Sequence, residues 1–151
     1  DTAFLATMAG AIARLGVDRA LIVSSEDGLD EVSATAPTSI VEVNGEELSE
    51  YVLDPLEVGI RPTTGTGAGG PGGDPQQNAA VTLAILRGEH PPGEELAVIN
   101  AGAAIYTAGR AETISEGVRE AQLALADGSA AAALESYLQA SLRHAPQEAA
   151  R

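Results

Sequence analysis

No cysteine occurs among the 151 residues, which rules out disulfides, thiolate nucleophiles and Cys-ligated zinc and fits an intracellular setting. Tryptophan is also missing, and one Phe with three Tyr supplies all the aromatic surface. A core so poor in aromatics and rich in Ala and Gly implies close helix packing. Positive charge is scarce: eight basic residues face 22 acidic ones, for a formal charge of -14. Nucleic-acid binders gain affinity by neutralising phosphates with Lys and Arg, so no nucleic-acid partner is expected. A phosphorylated small molecule remains compatible with this balance if Mg²⁺ or a local basic group mediates. No run approaches the roughly 20 apolar residues that span a bilayer. Phe4 to Leu15 lacks the basic flank and cleavage motif of a signal peptide. These absences lead to the expectation of a cytoplasmic protein with no membrane partner. The length suits one domain with a real core, and a start at Asp1 reads as a processed chain or a fragment.

What is present has the rhythm of an α/β fold. Phe4, Leu5, Met8, Ile12 and Leu15 fall at helical spacing, with Gly16 placed to end the helix. The apolar run Ala20-Leu21-Ile22-Val23 then predicts a strand over about 20–25. Helix, short link and buried strand suggest a mostly parallel sheet with flanking helices. Thr38 to Val43, the Asn44-Gly45 pair and Glu46 to Leu53 predict an antiparallel β-hairpin appended to that sheet. Residues 59–73 are dominated by Gly, Pro and Thr and read as a loop or linker. Asp74-Pro75 carries an N-cap and first-turn signal for a helix ending at Gly88. Leu96-Ala97-Val98-Ile99-Asn100 reads as a buried strand turning at Asn100-Ala101-Gly102 into a close-packed helix over 101–108. Helices over about 113–127 and 129–143 follow, the second with Leu134, Tyr137, Leu138 and Leu142 inward. The tail 145–151 is polar and expected to fray.

The chemistry-bearing feature is the loop behind the first strand, Asp27-Gly28-Leu29-Asp30-Glu31. In open α/β sheets, ligands bind beyond the C-terminal ends of strands. Carboxylates with no Lys or Arg in the loop repel unless solvated or bridged by a cation. Mg²⁺ takes hard oxygen ligands, commonly one or two carboxylates, and keeps water and substrate phosphates in its other positions. Adjacent Asp30 and Glu31 reach one ion only from irregular backbone, since a strand would point them to opposite faces. From spacing alone, a solvated acidic turn is the commoner outcome. Thr64 to Gly70 invites comparison with a phosphate-binding nest but lacks the Gly-Lys-Ser/Thr ending, so a connector is the better reading. His90 and His144, the only histidines, stand as surface residues. Ser24, Ser25 and Ser33 have no histidine near them in sequence to form a triad. Tyr106 and Tyr137 read as core.

The run Arg14-Leu15-Gly16-Val17-Asp18-Arg19-Ala20-Leu21-Ile22-Val23 followed by Asp27 to Glu31 closely resembles anthranilate phosphoribosyltransferase. The same order continues through Thr35-Ala36-Pro37-Thr38, Tyr51-Val52-Leu53-Asp54-Pro55, Gly72-Gly73-Asp74 with Asn78-Ala79, and Asn100-Ala101-Gly102-Ala103-Ala104. The likeness runs over about residues 4 to 142. It implies that residues 1–144 are the C-terminal portion of a larger α/β domain in a protein about twice as long. The glycine-rich diphosphate loop and the anthranilate-contacting arginine would then lie outside this sequence; Gly65-Thr66-Gly67 is misplaced for that loop. The resemblance further implies Mg²⁺-dependent transfer of the phosphoribosyl group of phosphoribosyl pyrophosphate to anthranilate, releasing pyrophosphate, in tryptophan biosynthesis. Asp30 and Glu31 match its metal-binding pair, and Asp27 is left to shape the loop. The full-length enzyme would be a homodimer through a region absent here. The 151-residue chain alone would be inactive. A pyrimidine nucleoside phosphorylase of the same fold and a non-catalytic binding module are the alternatives.

Overall fold

A computed structural model describes residues 2–61 and 72–144. Helix α1 (Leu5–Arg14) leads into strand β1 (Arg19–Ser25), followed by β2 (Thr38–Asn44) and β3 (Glu47–Leu53). After a 3₁₀ turn at Pro55–Val58 come α2 (Pro75–Leu86), α3 (Glu94–Thr107), α4 (Ile114–Ala126) and α5 (Ser129–His144). The residues 59–73 expected to form a loop are described only at their two ends. The Thr64 to Gly70 segment and the tail after His144 lie outside the described residues.

The sheet has the order β1-β2-β3, and both pairings are antiparallel. This corrects the expectation of a mostly parallel sheet for the strands described. Residues 26–37 join β1 to β2 without a crossover helix, and a parallel return needs one. The chain instead doubles back, with Ile22 opposite Val41 and Ser25 opposite Thr38. The second hairpin forms as expected, shifted by one residue at its tip. Asn44 pairs with Glu47, so Gly45 and Glu46 make the turn, and Gly45 supplies the positive φ (+60°) at its first position.

The two-residue period sorts β2 cleanly. Val41 and Val43 point to one face, where they bury Leu5 and Ala9 of α1 together with Ile22. Ile40 points to the other face and joins Val98, Ile99, Ala103, Ile114 and Val118 of α3 and α4. The architecture is therefore three-layered, α1 on one side and the α3–α4 pair on the other. Glu42 also faces α3, where apolar neighbours would penalise a bare carboxylate. It is satisfied by Tyr106 Oη at 2.7 Å, Tyr51 Oη at 3.0 Å and Arg19 Nε at 3.8 Å. The Arg19 guanidinium also stacks 4.7 Å from the Tyr106 ring centre. Burial, and then the Glu42 carboxylate, push both tyrosine hydroxyls above their ordinary range.

The segment expected to be strand and then helix is one continuous helix, α3. Its buried residues Val98, Ile99, Gly102 and Ala103 recur at i, i+1, i+4 and i+5. The run that suggested a strand, Leu96 to Asn100, places Val98 and Ile99 on the inner face of this helix and leaves Ala97 exposed, an ambiguity periodicity alone cannot resolve. Asn100 to Gly102 thus lies within the helix, and its small residues do permit close packing. A Cβ built on Gly102 would stand 2.5 Å from Val118 N and 2.6 Å from Val118 Cα, and one on Gly117 would strike the Gly102 carbonyl. The two glycines let the α3 and α4 backbones touch.

Helix α2 begins as expected, with Asp74 and Gln77 forming a reciprocal capping box and Pro75 in the first turn. An apolar cleft of about 290 Å³ separates it from α3, α4 and α5, lined in part by Ile85, Val98, Ile105 and Leu125. The inward stripe expected on α5 is not buried: Tyr137, Leu138 and Leu142 are exposed. Among the described residues, no helix is long and apolar enough to cross a membrane.

Gly102→Ala is expected to destabilise the chain by about 1–3 kcal/mol, the ordinary cost of overpacking. Gly10→Ala in α1, where a Cβ meets nothing within 4 Å, should be neutral or stabilising by up to ~1 kcal/mol. Urea midpoints of the two variants decide this. Equal midpoints would show that the α3–α4 contact is not tight.

Candidate functional site

The acidic loop occupies residues 26–37, the connection that leaves the C-terminal end of β1. Its first anchor is a turn: Ser25 N donates to Leu29 O at 3.1 Å, and Leu29 N donates back to Ser25 Oγ at 2.8 Å. Gly28 (φ +89°) takes the left-handed conformation this reversal requires. The second anchor is Asp27. Its Oδ1 accepts from Ser25 Oγ at 2.5 Å, and its Oδ2 accepts from Ser33 Oγ at 2.7 Å and Thr35 Oγ1 at 2.8 Å. Ser33 Oγ in turn accepts from the backbone of Thr35 and Ala36. Asp27 is therefore the organiser of the loop. Partial burial raises its pKa, but the three hydroxyl donors outweigh that and hold its carboxyl below the usual range.

A third anchor comes from α3. Asn100 Oδ1 accepts from Val32 N at 3.0 Å, while its Nδ2 donates to Val32 O at 2.8 Å and to Leu96 O at 2.9 Å. The partners leave only one orientation for this amide. Asn100 thereby pairs with the loop as a neighbouring strand would.

Asp30 and Glu31 lie between these anchors on irregular, exposed backbone. Among the described residues, neither makes a hydrogen bond or ion pair. With Glu26 at its start, they are the carboxylates of the loop that take no part in its internal hydrogen bonds, and Asp30 and Glu31 are the adjacent pair among them. Asp27, by contrast, is engaged by three hydroxyls. No group of three or more His, Asp or Glu able to hold a metal occurs among the described residues. A pair of hard oxygen donors without a protein cage suits Mg²⁺, which retains waters and substrate oxygens in its remaining positions.

The remaining sequence candidates fall elsewhere. His90 is exposed ahead of α3, with Nδ1 2.9 Å from Oε2 of Glu94, the helix's first residue. Ser25 and Ser33 hydrogen-bond Asp27 and the backbone, which fits structural rather than nucleophilic hydroxyls. Tyr106 is partly buried on Glu42, as a core residue should be, whereas Tyr137 faces solvent. The roles of Asn100 and of the Ser25, Ser33 and Thr35 hydroxyls escaped the sequence reading. An amide in the middle of a buried helical run was the available signal for Asn100, since buried polar groups must find partners.

The exposed carboxylate pair thus lies beyond the C-terminal end of β1 in an α/β unit, with α3 packed behind the loop. Residues 1–131 match the glycosyl transferase family, a/b domain, and the chain belongs to that family. It is 41% identical over 141 residues to anthranilate phosphoribosyltransferase of Rubrobacter xylanophilus, covering 93% of this chain and 41% of that one. The anthranilate phosphoribosyltransferase structure from Thermus thermophilus superposes with a TM-score of 0.77 at 35% identity, covering 92% of this chain and 40% of that one. A variant of the Saccharomyces cerevisiae enzyme with Mg bound shares the fold (TM-score 0.65, 22% identity), over 78% of this chain and 34% of that one. The resemblance drawn from the motifs is borne out, and the chain spans about two fifths of the length of the first two relatives.

Because the folded Asp27 carboxyl is more acidic than an unfolded one, it stabilises the fold above the unfolded value of about 3.9. That stabilisation is lost as pH falls through the lower folded value. Urea midpoints of the wild type should therefore drop below about pH 4 more steeply than those of Asp27→Asn. Parallel profiles would show that the hydroxyl ring does not favour the charged carboxylate.

Proposed function

We propose that this chain supplies the metal-holding side of an anthranilate phosphoribosyltransferase. In that reading, residues 1–144 are the C-terminal portion of the enzyme's α/β domain. The observation that carries it is the free Asp30–Glu31 pair, held between two anchors in a chain whose relatives bear that name. The reaction joins the anthranilate amine to C1 of the ribose of phosphoribosyl pyrophosphate, breaks the bond from C1 to the diphosphate oxygen and releases pyrophosphate. Asp30 and Glu31 would hold Mg²⁺, which supplies positive charge to the leaving diphosphate.

The contribution of the chain itself is preorganisation. Asp27 spends its charge on three hydroxyls, so it neither competes for the ion nor swings with it. Asp30 and Glu31 keep both carboxylates free because no cation of the described residues neutralises them. Groups that bind the ribose, the diphosphate and anthranilate would come from sequence outside these residues, as would the contacts of a cytoplasmic homodimer. The isolated chain is accordingly proposed to be inactive.

The test joins residues 1–144 to the part of the Rubrobacter xylanophilus enzyme that they do not span and follows loss of anthranilate fluorescence. The chimera should turn over with phosphoribosyl pyrophosphate and Mg²⁺, and the 151-residue chain should not. Asp30→Asn combined with Glu31→Gln should lower kcat/KM of the chimera by roughly 100-fold or more, within the range for lost electrostatic stabilisation. A folded, inactive chimera would favour a non-catalytic binding role. Full activity of the double variant would remove the pair from the mechanism.

A further inference from the structure

We infer that Asn100 is a positioning residue for the acidic pair, so that the metal affinity of Asp30 and Glu31 depends on an amide of α3 that never meets the ion. The inference rests on the metal reading of that pair and extends it.

Asp30 and Glu31 are bracketed by Leu29, tied to Ser25, and Val32, tied to Asn100. The Ser25 and Asp27 anchors join residues at most eight apart in sequence, so they give the loop its shape and leave its docking to others. Asn100 is 68 positions from Val32 and binds both its N–H and its C=O. It registers the loop against the helical layer directly behind Glu31. A third bond, to Leu96 O, fixes the amide on its own helix. Removing it leaves the buried Val32 backbone without these two partners, and the adjacent carboxylate gains freedom that binding an ion must remove. Groups that orient ligands from behind commonly change metal affinity by 10- to 100-fold when lost.

The experiment titrates Mn²⁺ into the ¹⁵N-labelled 151-residue chain and reads paramagnetic broadening of backbone amides. Four proteins are compared: wild type, Asp30→Asn with Glu31→Gln, Asn100→Leu and Val43→Ala. Leu fills the space of Asn without its amide. Val43→Ala opens a gap in the core beneath α1, far in the fold from the loop, and controls for lost stability. Broadening in the wild type should centre on residues 29–32 and vanish in the carboxylate double variant. Asn100→Leu should bind Mn²⁺ about tenfold or more weakly, with faster hydrogen exchange at Val32, while Val43→Ala binds as the wild type does. Unchanged affinity in Asn100→Leu, or an equal loss in Val43→Ala, overturns the positioning role alone. A wild type that shows no broadening at the loop, or a double variant that keeps it, overturns the metal reading and the inference together.

Discussion

The contact between Gly102 and Gly117 is the constraint on which the rest of the arrangement depends. Helices normally cross with side chains between them, at interaxial distances of 8–10 Å. Here the backbones of α3 and α4 meet directly, because any Cβ on either glycine would occupy space held by Val118 or by the Gly102 carbonyl. That closeness lets a chain with little aromatic bulk close its core. Ile99, Val118 and Ile40 are each at most 1% exposed where the helices cover the sheet. The helix pair so formed packs on the sheet through Ile40.

Two polar features fix where α3 sits over the sheet and the loop. Toward the end of α3, Tyr106 reaches Glu42 on the central strand, and Arg19 closes the group from β1. In the middle of the same helix, Asn100 reaches Val32. A buried carboxylate and a buried backbone amide are both costly without partners, so each acts as a register mark that only one placement of α3 satisfies. The acidic loop inherits its position from this chain of contacts. Its internal shape is a separate matter, governed by Asp27 and its hydroxyls. Asp27 is consumed to build the loop, and the adjacent Asp30 and Glu31 are left free at its surface.

Much of the fold was legible from local chemistry. The N-cap at Asp74, the strand behind Arg19, the hairpin at Gly45 and the α4 and α5 helices carry signals within a few residues of themselves. The strand–helix error over 96–108 arose because a short apolar run has no period of its own, and burial at residues 98, 99, 102 and 103 emerges only when α4 is in place. The direction of β2 relative to β1 was missed because the rhythm of helix and strand was weighed above the lack of a crossover helix in residues 26–37. Tyr137 and Leu142 show the opposite failure: a regular apolar stripe promises a partner, and none of the described residues covers it. For the site, Asp30 and Glu31 could be singled out only through the family resemblance, since their spacing alone fits a solvated turn. Asn100 lay beyond local reasoning because its partner is 68 residues away.

The central claim is that helix packing at the two glycines governs the docking of the loop. Site-resolved hydrogen exchange in Gly117→Ala, Asn100→Leu and the double variant tests it most directly, with the amides of β2 as the reference for global stability. The account predicts that Gly117→Ala alone lowers protection of the Val32 amide, relative to that reference, as far as Asn100→Leu does. Adding the second substitution should change nothing more. Retention of wild-type protection at Val32 in Gly117→Ala would contradict it, because the loop would then be held independently of the α3–α4 crossing.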